Sequence, residues 1–188
     1  MKYSKMLRVW HWLNALAVLG LLATFLLRKT FLSWHDNAQI IITTALEYDI
    51  TLSHEVAKSI AKAIREPMWE WHIIFGYAWM FLFMFRIFIF LREGISYVDT
   101  HSLHKKLITI SYTVFYTLSF FMIISGLVLY QSEDLGISSF MVHSIKALHE
   151  SIAWFFVFFV PVHIVGVLID EFRHKNQRIS QMITGKID

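Results

Sequence analysis

Four histidines stand inside the most apolar stretches of this 188-residue chain: His11, His72, His149 and His163. His149 and His163 are 14 residues apart. On an α-helix, at about 100° and 1.5 Å per residue, that spacing puts both within roughly 40° of one face and about 21 Å apart along the axis. Neutral imidazole is the commonest metal ligand among side chains. Two such groups stacked on one helix face suggest two metal centres in series, with His11 and His72 placed to complete the coordination. A single histidine in a membrane helix is more often a hydrogen-bonding group, but ionisable residues at membrane depth are functional candidates by default.

The elements that must position these residues follow from composition. The chain is 56% hydrophobic and 16% charged, against about 25% charge for an ordinary soluble domain. Its apolar residues come in blocks. Val9 to Leu27 carries no charge, Ile73 to Leu91 only Arg86, and Leu107 to Tyr130 and Ile152 to Ile169 none. About 20 apolar residues in a helix cross a hydrocarbon core of roughly 30 Å. Lipid offers backbone groups no partners, so the spans must be helices. The expected fold is an all-α, four-helix transmembrane bundle, one domain over 1–188, with spans near 6–28, 69–91, 107–130 and 144–169. The first span is no signal peptide: its apolar run is too long, and Leu26-Leu27-Arg28-Lys29 is no small-residue cleavage site.

Charge orients the spans. Lys2, Lys5, Arg8, Arg92, Lys105, Lys106, Arg173, Lys175, Arg178 and Lys186 fall on one side. Arg28, Lys29, Lys58, Lys62, Arg65 and Lys146 fall on the other, five of them in one long loop balanced by Asp36, Glu47, Asp49, Glu55 and Glu66. This bias puts both termini in the cytoplasm of a bacterial inner membrane. The net charge of +3 is spread along membrane borders, which argues against a nucleic-acid partner. Residues 30–66 form the one sizeable extramembrane piece. There Val56, Ile60 and Ile64 recur every four residues behind a helix cap at Thr51 or Ser53, which predicts a short amphipathic helix on the membrane surface or a docking platform for a redox partner. Pro67 suits the start of the second span, and Pro67-Met68-Trp69-Glu70-Trp71 reads as an interfacial aromatic belt.

Depth sorts the histidines into pairs. His11 and His163 each lie about six residues, near 9 Å, from the middle of their spans on the cytoplasmic side. His72 and His149 each lie about eight residues, near 12 Å, from theirs on the opposite side. The chain reverses direction between these spans, so the match is not built into the sequence order. Zinc would want Cys, Asp or Glu beside the histidines. The chain has no cysteine, no carboxylate lies at the depth of His11 and His163, and Glu70 and Glu150 beside the other pair stand on different helix faces from their histidines. The absence of cysteine also excludes iron–sulfur clusters and covalent haem attachment within this chain. Two histidines across an apolar core suit the two axial positions of a haem iron, with the porphyrin supplying the other four ligands. A ligating imidazole needs an acceptor at its second nitrogen, which the sequence does not identify. Gly20, Gly76, Gly126 and Gly166 are candidate haem-facing positions, although close helix packing explains each alone. Asn14 stands inside the first span near His11. Arg8 and Arg86 are candidates to pair with haem propionates or to snorkel to headgroups. Pro161 predicts a kink just before His163, and Met80, Met84 and Met122 read as core filling.

The segments Arg8-Val-Trp-His11-Trp-Leu, Trp71-His72-Ile-Ile-Phe-Gly76, Leu148-His149-Glu and Val162-His163-Ile-Val-Gly166 resemble the bacterial cytochrome b561 and nickel–iron hydrogenase cytochrome b family. The resemblance covers nearly the whole chain. It implies a four-helix bundle holding two non-covalent b haems, with the pairs His11–His163 and His72–His149, passing electrons to or from quinone. His101, His104 and Lys105 are then candidates for a quinone site or propionate contacts near the inner haem, against the plainer reading of interfacial positive charge.

The leading expectation is therefore a transmembrane electron carrier, alone, as a homo-oligomer, or as the lipid-embedded subunit of a larger redox enzyme. Electrons would pass between a periplasmic redox protein and quinone. The alternative is a stand-alone quinone-linked oxidoreductase acting on a small periplasmic reactant such as superoxide. A metal-ion or proton transporter using the same histidines would call for carboxylates deep in the membrane, whereas the only two within the spans, Glu70 and Glu150, lie toward the span ends.

Overall fold

The computed structural model describes residues 3–93, 103–174 and 178–185, with the backbone alone at 103–105, 174 and 178. Among the described residues every regular element is an α-helix and there is no strand. The order is α1 (Lys5–Lys29), α2 (Trp34–Leu46), α3 (His54–Glu93), α4 (Leu103–Tyr130), α5 (Ser139–His174) and α6 (Arg178–Ile183). Four of these, α1, α3, α4 and α5, are long and apolar enough to cross a membrane. The expected all-α class and its four spans are therefore present.

The structure corrects the region before the second span. The amphipathic helix and that span are one continuous helix of 40 residues, with Pro67 in its interior rather than at its start. Proline removes one backbone hydrogen bond, but the helix on both sides is long enough to continue past it. At 1.5 Å per residue α3 is about 60 Å long, twice the hydrocarbon thickness, so part of it must project beyond the lipid. Ser53 begins it: the Val56 amide donates to Ser53 Oγ at 3.4 Å. A further helix, α2, occupies the preceding segment, where the sequence showed no periodic pattern.

The chain forms two compact units, residues 16–78 and residues 1–15 with 79–188. In the first unit, α2 and the start of α3 meet through alanines. Ala38, Ala57 and Ala61 are fully buried, with Trp34, Ile41 and Ile42 packed against them. The sequence marks Val56, Ile60 and Ile64 as the apolar stripe, but all three are exposed. Small side chains let two backbones approach closely, so the adjacent alanine row makes the contact instead. Further along, a Cβ added at Gly20 would come within 2.7 Å of the Phe75 ring, so α1 and α3 are in close contact there.

In the second unit, α4 and α5 run together and share an aromatic layer. Phe115 meets Phe156 edge-on at 5.6 Å and Phe159 at 5.0 Å, and Trp79 meets Phe156 edge-on at 5.4 Å. Two buried polar contacts fix the start of α1. Trp10 Nε1 donates to the Leu82 carbonyl at 2.7 Å, and Trp79 Nε1 donates to Asn14 Oδ1 at 3.1 Å. Helix α5 continues through Pro161. Of the methionines read as core filling, Met84 is exposed, as a side chain facing lipid would be.

Near the C-terminus, α6 folds back on the first helix. Glu171 accepts from the Ile179 amide at 3.1 Å and holds the entry to α6. Arg8 Nη1 then donates to the Ile183 carbonyl at 3.1 Å, and Trp12 Nε1 to the Met182 carbonyl at 3.3 Å.

Candidate functional site

His11 projects from the first third of α1 and His163 from the second half of α5. Their ring centroids are 6.2 Å apart with the planes tilted by 54°. Two imidazoles sharing one metal through bonds of about 2 Å would put their ring centres roughly 6 Å apart. The observed separation fits that arrangement. Aromatic neighbours fix both rings. Phe159, one turn before His163, stacks on it at 5.8 Å and 11°. Trp12 meets His11 edge-on at 5.5 Å.

His72 and His149 each meet a hydroxyl on a neighbouring helix. Nδ1 of His72 lies 2.8 Å from Thr24 Oγ1. Nδ1 of His149 lies 2.7 Å from Ser125 Oγ. Trp69 is edge-on to His72 at 5.6 Å. Beside His149, a Cβ added at Gly126 would touch the ring at 3.4 Å, so this glycine lies directly against the histidine. Thr24 and Ser125 are hydrogen-bond partners that the sequence did not identify. Neither has a sequence signature, because a hydroxyl within an apolar run looks like any residue bonded back to its own helix.

The remaining candidates fall in different settings. Gly76 and Gly166 have open space where a Cβ would stand, while Gly20 faces Phe75. Asn14 accepts from Trp79. Arg86 donates from Nε to Tyr116 Oη at 3.0 Å and lies 5.4 Å over the Trp10 ring, next to His11 in sequence. Arg8 is engaged with Ile183, as above. His104 and Lys105 stand in the first turn of α4, but their side chains, like the whole of His101, lie outside the described residues.

Among the described residues no three His, Cys, Asp or Glu side chains gather in a metal-binding group. A paired-histidine donor set in an apolar helix layer does not suit zinc, which normally takes four protein ligands or three and water. It suits a metal whose other ligands come from its own macrocycle. Four spanning helices and paired histidines define the class: a multi-pass membrane cytochrome of the b type. The chain belongs to the prokaryotic cytochrome b561 family, whose model matches residues 2–185. No curated protein and no solved structure matches the chain. Membership makes this a lipid-embedded protein that transfers electrons on b-type haem.

Proposed function

We propose that the chain carries electrons across the bacterial inner membrane on two haems b, one held by His11 and His163, the other by His72 and His149. The observation that carries the reading is the 6.2 Å ring separation of His11 and His163 in a chain of this family. The second pair rests on matched counts along the helices: His163 follows His149 by 14 residues, and Thr24, bonded to His72, follows His11 by 13. Bound haem supplies a one-electron iron couple. The protein's part is to hold both imidazoles of a pair with little freedom, through the rings of Phe159 and Trp12 at one pair and the hydroxyls of Thr24 and Ser125 at the other. Rigid ligands cost little reorganisation when the iron changes charge, and apolar side chains keep water from the iron.

The single domain and its partners belong to the same proposal. Gly76, Gly126 and Gly166 border the macrocycles, where a side chain would intrude. Arg8 and Arg86, with His101, His104 and Lys105, supply positive charge on the side of His11, where haem propionates and a quinone headgroup need it. A periplasmic redox protein or enzyme subunit exchanges electrons at the other side, and the bias of Lys and Arg places both termini in the cytoplasm.

The test is haem counting. The purified chain should hold two protohaems by pyridine haemochrome assay. His163→Ala should retain one and lose the centre nearer the termini. Loss of both haems from a variant that keeps its helix content would contradict the pairing, and a spectrum without b-type bands would end the reading altogether.

A further inference from the structure

The hydroxyls of Thr24 and Ser125 each meet both a carbonyl of their own helix and a histidine, and Ser125 Oγ also lies 3.1 Å from the Met122 carbonyl. Thr24 Oγ1 donates to the Leu21 carbonyl at 2.8 Å and also lies 2.8 Å from His72 Nδ1. Ser125 Oγ donates to the Phe121 carbonyl at 2.7 Å and also lies 2.7 Å from His149 Nδ1. A hydroxyl has one hydrogen to give. With that hydrogen on a helix carbonyl, the oxygen is left to accept from Nδ1, an arrangement that satisfies both contacts with the histidine protonated at Nδ1. Neutral imidazole protonated at Nδ1 has its lone pair on Nε2, the form that ligates a metal. Both hydroxyl residues are buried, at 6% and 9% exposure, so water does not compete for the bond. The same device occurs once in each compact unit, on different helices. Among the described residues, His11 and His163 have ring neighbours instead.

We propose that Thr24 and Ser125 are positioning residues that hold His72 and His149 as Nδ1–H tautomers, so that both ligate haem iron through Nε2. The inference rests on the reading of these two histidines as haem ligands. A hydroxyl accepting from Nδ1–H orients the ring and makes Nε2 a stronger donor, which favours oxidised iron. Removing it weakens haem binding and raises the midpoint potential at that centre, while the centre at His11 and His163 stays as it was.

The experiment uses the full-length holoprotein in detergent, with redox titration, haem-release rates and the low-spin electron paramagnetic resonance signal of each haem. Thr24→Val and Ser125→Ala should each shift one and the same haem to higher potential and loosen it about tenfold or more. Thr24→Ser, which keeps the hydroxyl, should restore the wild-type potential and signal. His72→Ala identifies the affected haem as the one it loses. If Thr24→Val does not accumulate, Ser125→Ala carries the same prediction from the other helix. Unchanged potential and release in these variants, with one haem missing from His72→Ala, overturns the positioning role alone. Two haems retained by His72→Ala overturns the ligand reading beneath it.

Discussion

A methyl group separates glycines that look equivalent in the sequence. At Gly20 it would meet the Phe75 ring at 2.7 Å, so Gly20→Ala must displace an aromatic side chain. Overpacking of that kind costs about 1–3 kcal/mol and should lower the unfolding temperature of the purified protein. At Gly76 and Gly166 the same methyl meets no protein atom within 4 Å. Alanine is the better helix former by about 1 kcal/mol, so helix content by circular dichroism should hold in these two variants. On the proposed reading that this space holds the macrocycle, their haem content should fall. The four histidines stood out in the sequence because ionisable residues are rare in apolar runs and the 14-residue spacing is a helix geometry; their role as ligands is the proposal above. Thr24 and Ser125 did not stand out, because their partners lie 48 and 24 positions away and nothing local marks them. Asn14 and Arg86 were legible as unusual in an apolar run, but not their partners Trp79 and Tyr116.

Among the elements, α3 differs most from its sequence pattern. Periodicity identified Val56, Ile60 and Ile64 as an apolar stripe for the membrane surface or the bundle rim, because a count of apolar residues favours large ones. The contact with α2 follows Ala57 and Ala61 beside it, where closeness of approach outweighs side-chain area. Ala61→Leu should therefore separate α2 from α3 and destabilise residues 16–78 by about 1–3 kcal/mol. Ile60→Ala, on the exposed face, should cost far less. Thermal unfolding of both variants in detergent, with proteolysis between α2 and α3, compares them. The proline signal failed for a related reason. Pro67 suits the first turn of a helix, but it is tolerated inside one when flanking turns and packing hold the chain on both sides. The four spans were legible because apolar length is a property of the segment alone.

At the scale of the whole molecule, charge and connectivity govern. The surplus of Lys and Arg outside the ends of α1 and α5 should make a reporter fused after residue 188 active in the cytoplasm, and one inserted at the Glu47–Ile50 turn active outside. Opposite activities would put both termini on the other side of the membrane. The contacts of the first helix near the chain's ends also join distant parts of the chain. Arg8 donates to a carbonyl 175 positions later, and His11 waits 152 positions for His163. Ribosomes add about 5–20 residues per second, so His163 is made roughly 8 to 30 s after His11. Throughout that interval the newborn first helix carries a histidine whose counterpart has not been synthesised. On the proposed pairing, haem supplied during translation would find only half a binding site there, and the centre would be completed only once the last spanning helix had been inserted.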